Sequence, residues 1–112
     1  MGAVITVNES EFNVLADELM LALEEAIDDS GVDIDYETSA GVMTLTIEAD
    51  GSKVIVSRQS AMGQIWVAAR SGGYHCNREG GQWRCSTTAE TLPELLSRVC
   101  TEQSGEQVAL TF

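Results

Sequence analysis

The residues best suited to carry chemistry are seven carboxylates that lie within one short stretch of the chain. The stretch, residues 24–37, contains no lysine or arginine, and the first basic residue of the whole chain is Lys53. Carboxylate oxygens are the ligands that hard cations such as magnesium, calcium, manganese and iron ions take. The stretch therefore predicts a cation-binding surface, and its acids are Glu24, Glu25, Asp28, Asp29, Asp33, Asp35 and Glu37.

These seven acids, called the acidic ridge below, fall at the end of a predicted helix and along the next predicted strand. In a helix, Glu24 and Glu25 each lie beside the aspartate four residues later, and like charges at that spacing repel. Carboxylates in a last helical turn also oppose the helix dipole. In a strand, the three acids of residues 33–37 all point to one side. Rules of local stability are often broken at functional sites, although a solvated acidic face is the plain alternative.

Known metal motifs do not fit this stretch. An EF-hand loop starting at Asp33 would need glycine where Thr38 stands and glutamate where Thr44 stands. A di-iron site in a helical bundle would need Glu-x-x-His pairs, and the only histidine is His75, which we place on the exposed face of the sheet. We therefore expect several weak, exposed and exchangeable cation sites on the ridge.

Composition narrows the class of function. The chain has 112 residues and a net charge of −12, with 18 acidic and 6 basic residues. This balance argues against binding to nucleic acid or to an anionic membrane, because phosphates need cations, and it favours metal ions or a basic protein partner. With a single histidine, no nucleophile, base and orienting residue can be assembled, so we predict no enzyme.

The lack of a recognisable targeting signal and the cysteine pattern together indicate one cellular compartment. No apolar run approaches the ~20 residues of a transmembrane helix, and the first residues lack the features of a secretory signal. The three cysteines, Cys76, Cys85 and Cys100, leave one unpaired in any disulfide scheme, and no Cys-x-x-Cys motif marks them for redox or metal chemistry. We expect free, buried thiols and a cytoplasmic protein.

Hydrophobic periodicity predicts an α+β fold. A helix capped by Asn8 runs to about Asp29, and a second helix starts near Thr91 with a capping box and Pro93 in its first turn. Between them, alternating patterns predict strands over residues 33–39, 42–48, 53–58, 64–70, 74–77 and 83–86. Residues 1–7 are predicted as a short tail or an extended lead-in. Short connections favour an antiparallel sheet with both helices on one face, a two-layer sandwich forming one domain over residues 1–112.

Trp66 is the candidate for contact with a partner. Alternation along its strand places Ile65 and Val67 on the core side and Trp66 on the outer face. An exposed tryptophan is a typical anchor of a protein interface, and a ring lying flat on its own sheet is the alternative.

Beyond these separate patterns, one long segment is specific enough to indicate a protein family. The segment GSKVIVSRQSAMGQIWVAARSGGYHC (51–76), with the acidic first helix before it and the Trp83 hairpin and TLPELL helix after it, resembles the bacterial frataxins, the CyaY family. The resemblance runs from about Asn8 to Val108. It implies a frataxin-like sandwich of two helices on a sheet of about six strands. No transit peptide is evident, which fits a bacterial cytosolic member.

The resemblance also implies a function. It implies a protein of iron–sulfur cluster assembly that binds iron, as Fe(II) and Fe(III), weakly on the acidic ridge, where other divalent cations are also accepted. It implies binding to the cysteine desulfurase and its scaffold protein, through Trp66 and the helical acids Glu24, Glu25, Asp28 and Asp29, by a protein that is monomeric without metal. Two alternatives stay open: an acidic interaction module that occupies a basic protein without specific iron function, and a carboxylate-based ferroxidase.

Overall fold

The structure, a computed structural model, describes residues 8–112, so the predicted lead-in over residues 1–7 lies outside the described residues. Two helices flank six strands, and the observed boundaries agree with the predicted ones to within two residues. The elements are α1 Glu9–Ser30, β1 Ile34–Ser39, β2 Val42–Ile47, β3 Lys53–Gln59, β4 Gln64–Ala69, β5 Gly72–Glu79, β6 Gln82–Cys85 and α2 Leu92–Ser104. Neither helix of this part of the chain combines the length and hydropathy that a membrane-spanning segment needs.

The six strands form one open sheet in chain order, and every neighbouring pair is antiparallel. This order leaves β1 and β6 as the two edge strands. The buried residues of the strands alternate with exposed ones, and their side chains join the apolar faces of α1 and α2 in one core. The predicted two-layer sandwich, with both helices on one face and the other face open, is confirmed.

Helix α1 begins and ends where the sequence signals lie. The Asn8 side chain accepts a hydrogen bond from the backbone N–H of Glu11 at 2.9 Å, which caps the first turn. Gly31 follows the last turn with φ at 70°, a left-handed conformation that glycine adopts without steric cost. The buried face of the helix, from Phe12 to Ile27, recurs at the helical period and turns the opposite face, with its acids, toward solvent.

The core is closed by contacts between distant parts of the chain. Phe12 of α1 and Trp83 of β6 meet edge to face, with ring centroids 5.7 Å apart and planes at 90°. The segment after α2 returns to this core, since Val108 and Leu110 are buried and the backbone of Leu110 exchanges hydrogen bonds with the hydroxyl of Ser97.

An ion pair between α2 and the segment before it makes the stability of the fold depend on pH in the acid range. Two bonds of 2.9 Å join the Arg98 guanidinium to the Glu90 carboxylate, and this partner holds the pKa of Glu90 below its usual value. A lowered native pKa contributes stability that is present above the usual pKa of the group and is lost as the pH falls through the native value. The wild-type thermal midpoint should therefore fall as the pH drops below about 5.

We expect Glu90→Gln to lower the midpoint by about 4 °C at neutral pH and to flatten its fall in acid. Glu79→Gln is the matched control, because Glu79 is exposed and no ion pair of the described residues involves it. Thermal melts between pH 3 and 7 measure both effects. An acid response equally steep in wild type and Glu90→Gln would show that other carboxylates govern it.

Candidate functional site

The acidic ridge is assembled where the end of α1 runs beside the edge strand β1. Two hydrogen bonds join the two elements: the Thr38 hydroxyl donates to Glu24 at 2.8 Å, and the Tyr36 hydroxyl donates to Asp28 at 2.9 Å. These donors orient two of the helical carboxylates along the edge of the sheet. Strand alternation predicts that Tyr36 and Thr38 face the helix, but their role as donors to the ridge is a finding of the structure.

The Tyr36–Asp28 contact has an electrostatic consequence. The hydrogen bond to the Asp28 carboxylate raises the pKa of Tyr36, and slight burial and the charges of Asp28 and Glu24 add to that effect. Tyr36 therefore remains a hydrogen-bond donor throughout the neutral range. Glu25 and Asp29, on the outer side of the same helix, are exposed.

The strand acids point away from the helix. Asp35 and Glu37 alternate with Tyr36 and lie on the open face of the sheet, where they line a shallow groove with Thr44, Thr46 and Lys53. Asp33 precedes β1, and its carbonyl oxygen accepts a hydrogen bond from the backbone of Glu48 at 3.1 Å. The ridge thus consists of a helical row and a strand row on the two sides of the β1 edge.

No ion pair of the described residues involves a ridge acid. Arg58 binds Asp17 at 2.6 Å, Arg70 binds Asp50 at 2.7 Å, and Arg98 binds Glu90 and Glu102. The last turn of α1 contains no basic residue. Lys53 is the cation that shares the groove of the strand acids, and its ammonium group contacts the Thr46 hydroxyl at 3.4 Å. The ridge is therefore a region of concentrated negative charge, with Lys53 beside its strand acids and no ion pair to a ridge acid among the described residues.

The carboxylates of the ridge are not gathered into a cage. Within residues 8–112, no three side chains of histidine, cysteine, aspartate or glutamate converge closely enough to hold one metal ion. Apart from the half-buried Glu24, the ridge acids are exposed, and their oxygens can accept a hard cation singly or in pairs, with water completing its coordination. Such an arrangement suits weak, exchangeable binding, whereas a structural site would need ligands that are already convergent.

Trp66 and His75 form a stacked pair on the open face of the sheet. They are direct neighbours on β4 and β5, with ring centroids 4.4 Å apart and an angle of 11° between the planes. The Trp66 ring is half-buried. Its indole N–H donates to the side-chain oxygen of Gln64 at 2.8 Å, which fixes the orientation of the ring. The predicted outer face is confirmed for both residues. The stack itself was missed, although alternation and strand pairing together would have placed the two rings side by side.

The three cysteines are free and buried, as predicted. Cys76 and Cys85 face the core from directly opposite positions on β5 and β6. Cys100 lies on the buried face of α2. They belong to the helical side of the sheet, whereas the strand acids and the Trp66–His75 stack lie on its open side.

Comparisons with known proteins agree on one family. A family model described as the frataxin-like domain matches residues 5–106. The chain is 35% identical to a frataxin of the CyaY family from Psychromonas ingrahamii, over 95% of this chain and 100% of that one, with a TM-score of 0.87. It is 28% identical to a trimeric frataxin from the yeast Saccharomyces cerevisiae complexed with ferrous iron, over 96% and 92% of the two chains, with a TM-score of 0.62.

Proposed function

The chain belongs to the frataxin family, and from this premise we propose that it binds iron and regulates iron–sulfur cluster assembly or supplies iron for it. The family is known for iron handling in iron–sulfur assembly and is generally non-enzymatic. We propose that the chain acts as one frataxin-like domain over residues 1–112. Its partner in this proposal is the complex of the cysteine desulfurase and its scaffold protein.

The observation that carries the proposal is the unneutralised charge of the ridge. The basic residues of the chain begin at Lys53, and none of the four ion pairs of the described part of the chain reaches a ridge acid. Charges left in this arrangement repel one another and gain from an external cation. Iron is the cargo in this proposal, held by carboxylate oxygens as Fe(II) or Fe(III), and other divalent cations compete for the same exposed oxygens.

Two surfaces meet the partner in this proposal. The helical acids Glu24, Glu25, Asp28 and Asp29 approach a basic patch of the desulfurase. The Trp66–His75 stack supplies a flat aromatic surface on the neighbouring open face. The ridge attracts the partner over a distance and the aromatic surface gives short-range contact, since charge governs association rates and buried rings govern the affinity.

The proposal extends to the oligomeric state and the cellular location of the protein. We propose a monomer in the absence of metal, because the net charge of −12 opposes self-association. The trimeric yeast relative shows that self-association occurs within the family. We place the protein in the bacterial cytoplasm, on its likeness over 95% of its length to the Psychromonas protein and on its three free thiols.

Anaerobic titration with Fe(II), followed by NMR, tests the iron function. The amide signals of residues 24–37 should broaden or shift first, with weak, multi-site behaviour and little change elsewhere, because the ligands are exposed oxygens. Glu25→Gln with Asp29→Asn should weaken this response several-fold. Glu18→Gln with Glu79→Gln removes the same number of exposed charges away from the ridge and should leave the response unchanged.

The same titration separates the proposal from the alternative of an acidic interaction module. Such a module would bind iron equally well with either pair of substitutions, because only its total charge would matter. Tight stoichiometric binding centred on His75 or the cysteines would also contradict the proposal. Iron-dependent oxygen consumption with turnover would identify a ferroxidase instead.

A further inference from the structure

The two cysteines of the last hairpin lie opposite each other, at positions that a disulfide could join. Cys76 and Cys85 are paired in register across β5 and β6. The backbone N–H of Cys85 donates to the carbonyl oxygen of Glu90 at 2.8 Å, and the backbone N–H of Ser86 donates to the carbonyl oxygen of His75 at 2.9 Å. The cysteines therefore occupy a pair of positions that do not bond to each other through the backbone. Opposite α-carbons at such positions are about 4.5 Å apart, within the range that a disulfide spans.

The two thiols differ in their surroundings. Cys76 is fully buried, and burial, followed by the neighbouring Cys85, raises its pKa to about 12. Burial alone would raise the pKa of Cys85, but hydrogen bonds from hydroxyl and backbone groups of Thr87 and Thr88 lower it below its usual value. The Cys85 sulfur lies 3.4 Å from the Thr87 hydroxyl. Cys85 is therefore the better nucleophile of the two, and Cys76 would act as the resolving thiol.

Cys85 is buried, so its oxidation requires a local opening, which we expect at the end of the sheet. Strand β6 has four residues and is the last strand of the sheet, and its outer side is held by an isolated bridge from Arg84 to Thr91 and by the bond from Cys85 to Glu90. The turn that follows it, residues 86–89, is exposed. Short edge strands and exposed turns open at low free-energy cost, so a small oxidant reaches Cys85 without global unfolding. Cys100 lies on the buried face of α2, outside the sheet, and burial raises its pKa to about 11.

We propose that Cys76 and Cys85 are a reversible oxidative modification site that closes to a disulfide with hydroperoxides. The Cys85 thiolate attacks the peroxide oxygen, the O–O bond breaks, and a sulfenic acid forms while hydroxide leaves and becomes water. The Cys76 sulfur then attacks the sulfenic sulfur, the S–O bond breaks, and the Cys76 proton leaves with the oxygen as a second water. One hydrogen peroxide is reduced by two electrons and two thiols are oxidised to one disulfide, which a dithiol reverses.

Closure ties the edge strand to the sheet. The bond would close a loop over residues 77–84 that contains Trp83, a member of the core packed against α1. Fixing this hairpin reduces the freedom of the unfolded chain, so oxidised protein should melt higher than reduced protein, by roughly 5 °C or more.

Reduced full-length protein treated with a small excess of hydrogen peroxide tests the proposal. Intact mass should fall by about 2 Da with a peptide map that joins Cys76 to Cys85, and dithiothreitol should restore the mass and the original midpoint. Cys100→Ala is the matched control and should react like wild type. Cys76→Ala and Cys85→Ala should not lose this mass, and Cys76→Ala should instead gain oxygen at Cys85.

Melts of each variant under reducing conditions verify that the fold is retained before oxidation. The proposal fails if wild type gains oxygen without the mass loss, if the linkage involves Cys100, or if disulfides form between chains. It also fails if the intramolecular bond forms but the midpoint does not rise.

Discussion

Reversing the charge of Glu25 and Asp29 to lysine should slow association with the cysteine desulfurase by about tenfold at low salt. Both side chains are exposed on the outer side of α1, whereas Glu24 and Asp28 accept hydrogen bonds from β1. The double variant therefore changes the field of the ridge and leaves the contacts between α1 and β1 intact. The loss should appear in the association rate constant, because exposed charges act mainly before the surfaces touch.

A variant of equal net charge separates the position of the charge from its amount. Glu18→Lys with Glu79→Lys reverses two exposed acids outside the ridge and should change the association rate much less. Stopped-flow mixing with purified desulfurase at several salt concentrations measures both variants. Added salt should slow wild type toward the ridge variant, since the Debye length shortens to about 8 Å at physiological ionic strength. Rates that are independent of salt, or equal for the two variants, would rule out steering by the ridge.

Trp66→Arg should weaken binding to the desulfurase–scaffold complex by about thirtyfold or more while the fold persists. The ring lies half-buried on the open face, stacked on His75, so its removal takes an aromatic surface from the interface and little from the core. Dissociation should accelerate more than association slows, because a short-range contact is lost. We expect the thermal midpoint to fall by only a few degrees, in proportion to the lost stacking.

Val14→Arg is the control for adding a positive charge in place of an exposed apolar side chain. Val14 is 57% exposed on α1, away from the open face of the sheet, and its replacement should leave binding unchanged. Trp66→Phe retains an aromatic ring and should bind better than Trp66→Arg. A large fall in midpoint with unchanged partner binding would identify Trp66 as a packing residue.

The fold could be predicted from the sequence because local signals agreed with the final packing. Asn8, Gly31, Thr91 and Pro93 mark helix boundaries, and the strands alternate cleanly between core and solvent. The conformation of Ala40 does not follow from the local preference of alanine. This residue adopts a positive φ of 52° before Gly41 in the turn between β1 and β2. Pairing of the two strands imposes that conformation, which alanine does not favour in isolation.

For the candidate site, the sequence predicts a set of residues but not their arrangement. Composition and spacing identified the seven acids, yet only the packing of α1 against β1 shows that Tyr36 and Thr38 donate to the helical row. The separation of the strand row onto the open face also depends on which side of the sheet the helices cover. The Trp66–His75 stack requires the register of β4 and β5, a long-range property that periodicity within one strand does not contain.

Strand β1 has a consequence for solubility that follows from its position at the edge of the sheet. An edge strand carries unpaired backbone donors and acceptors that can extend a sheet into a second molecule. Asp35 and Glu37 place negative charge along this edge, and two such edges repel when they approach. The carboxylates that we propose as cation ligands would therefore also protect the sheet against growth by strand addition. A cation bound there would remove part of that protection, so cation binding would lower the colloidal stability of the protein through this one strand.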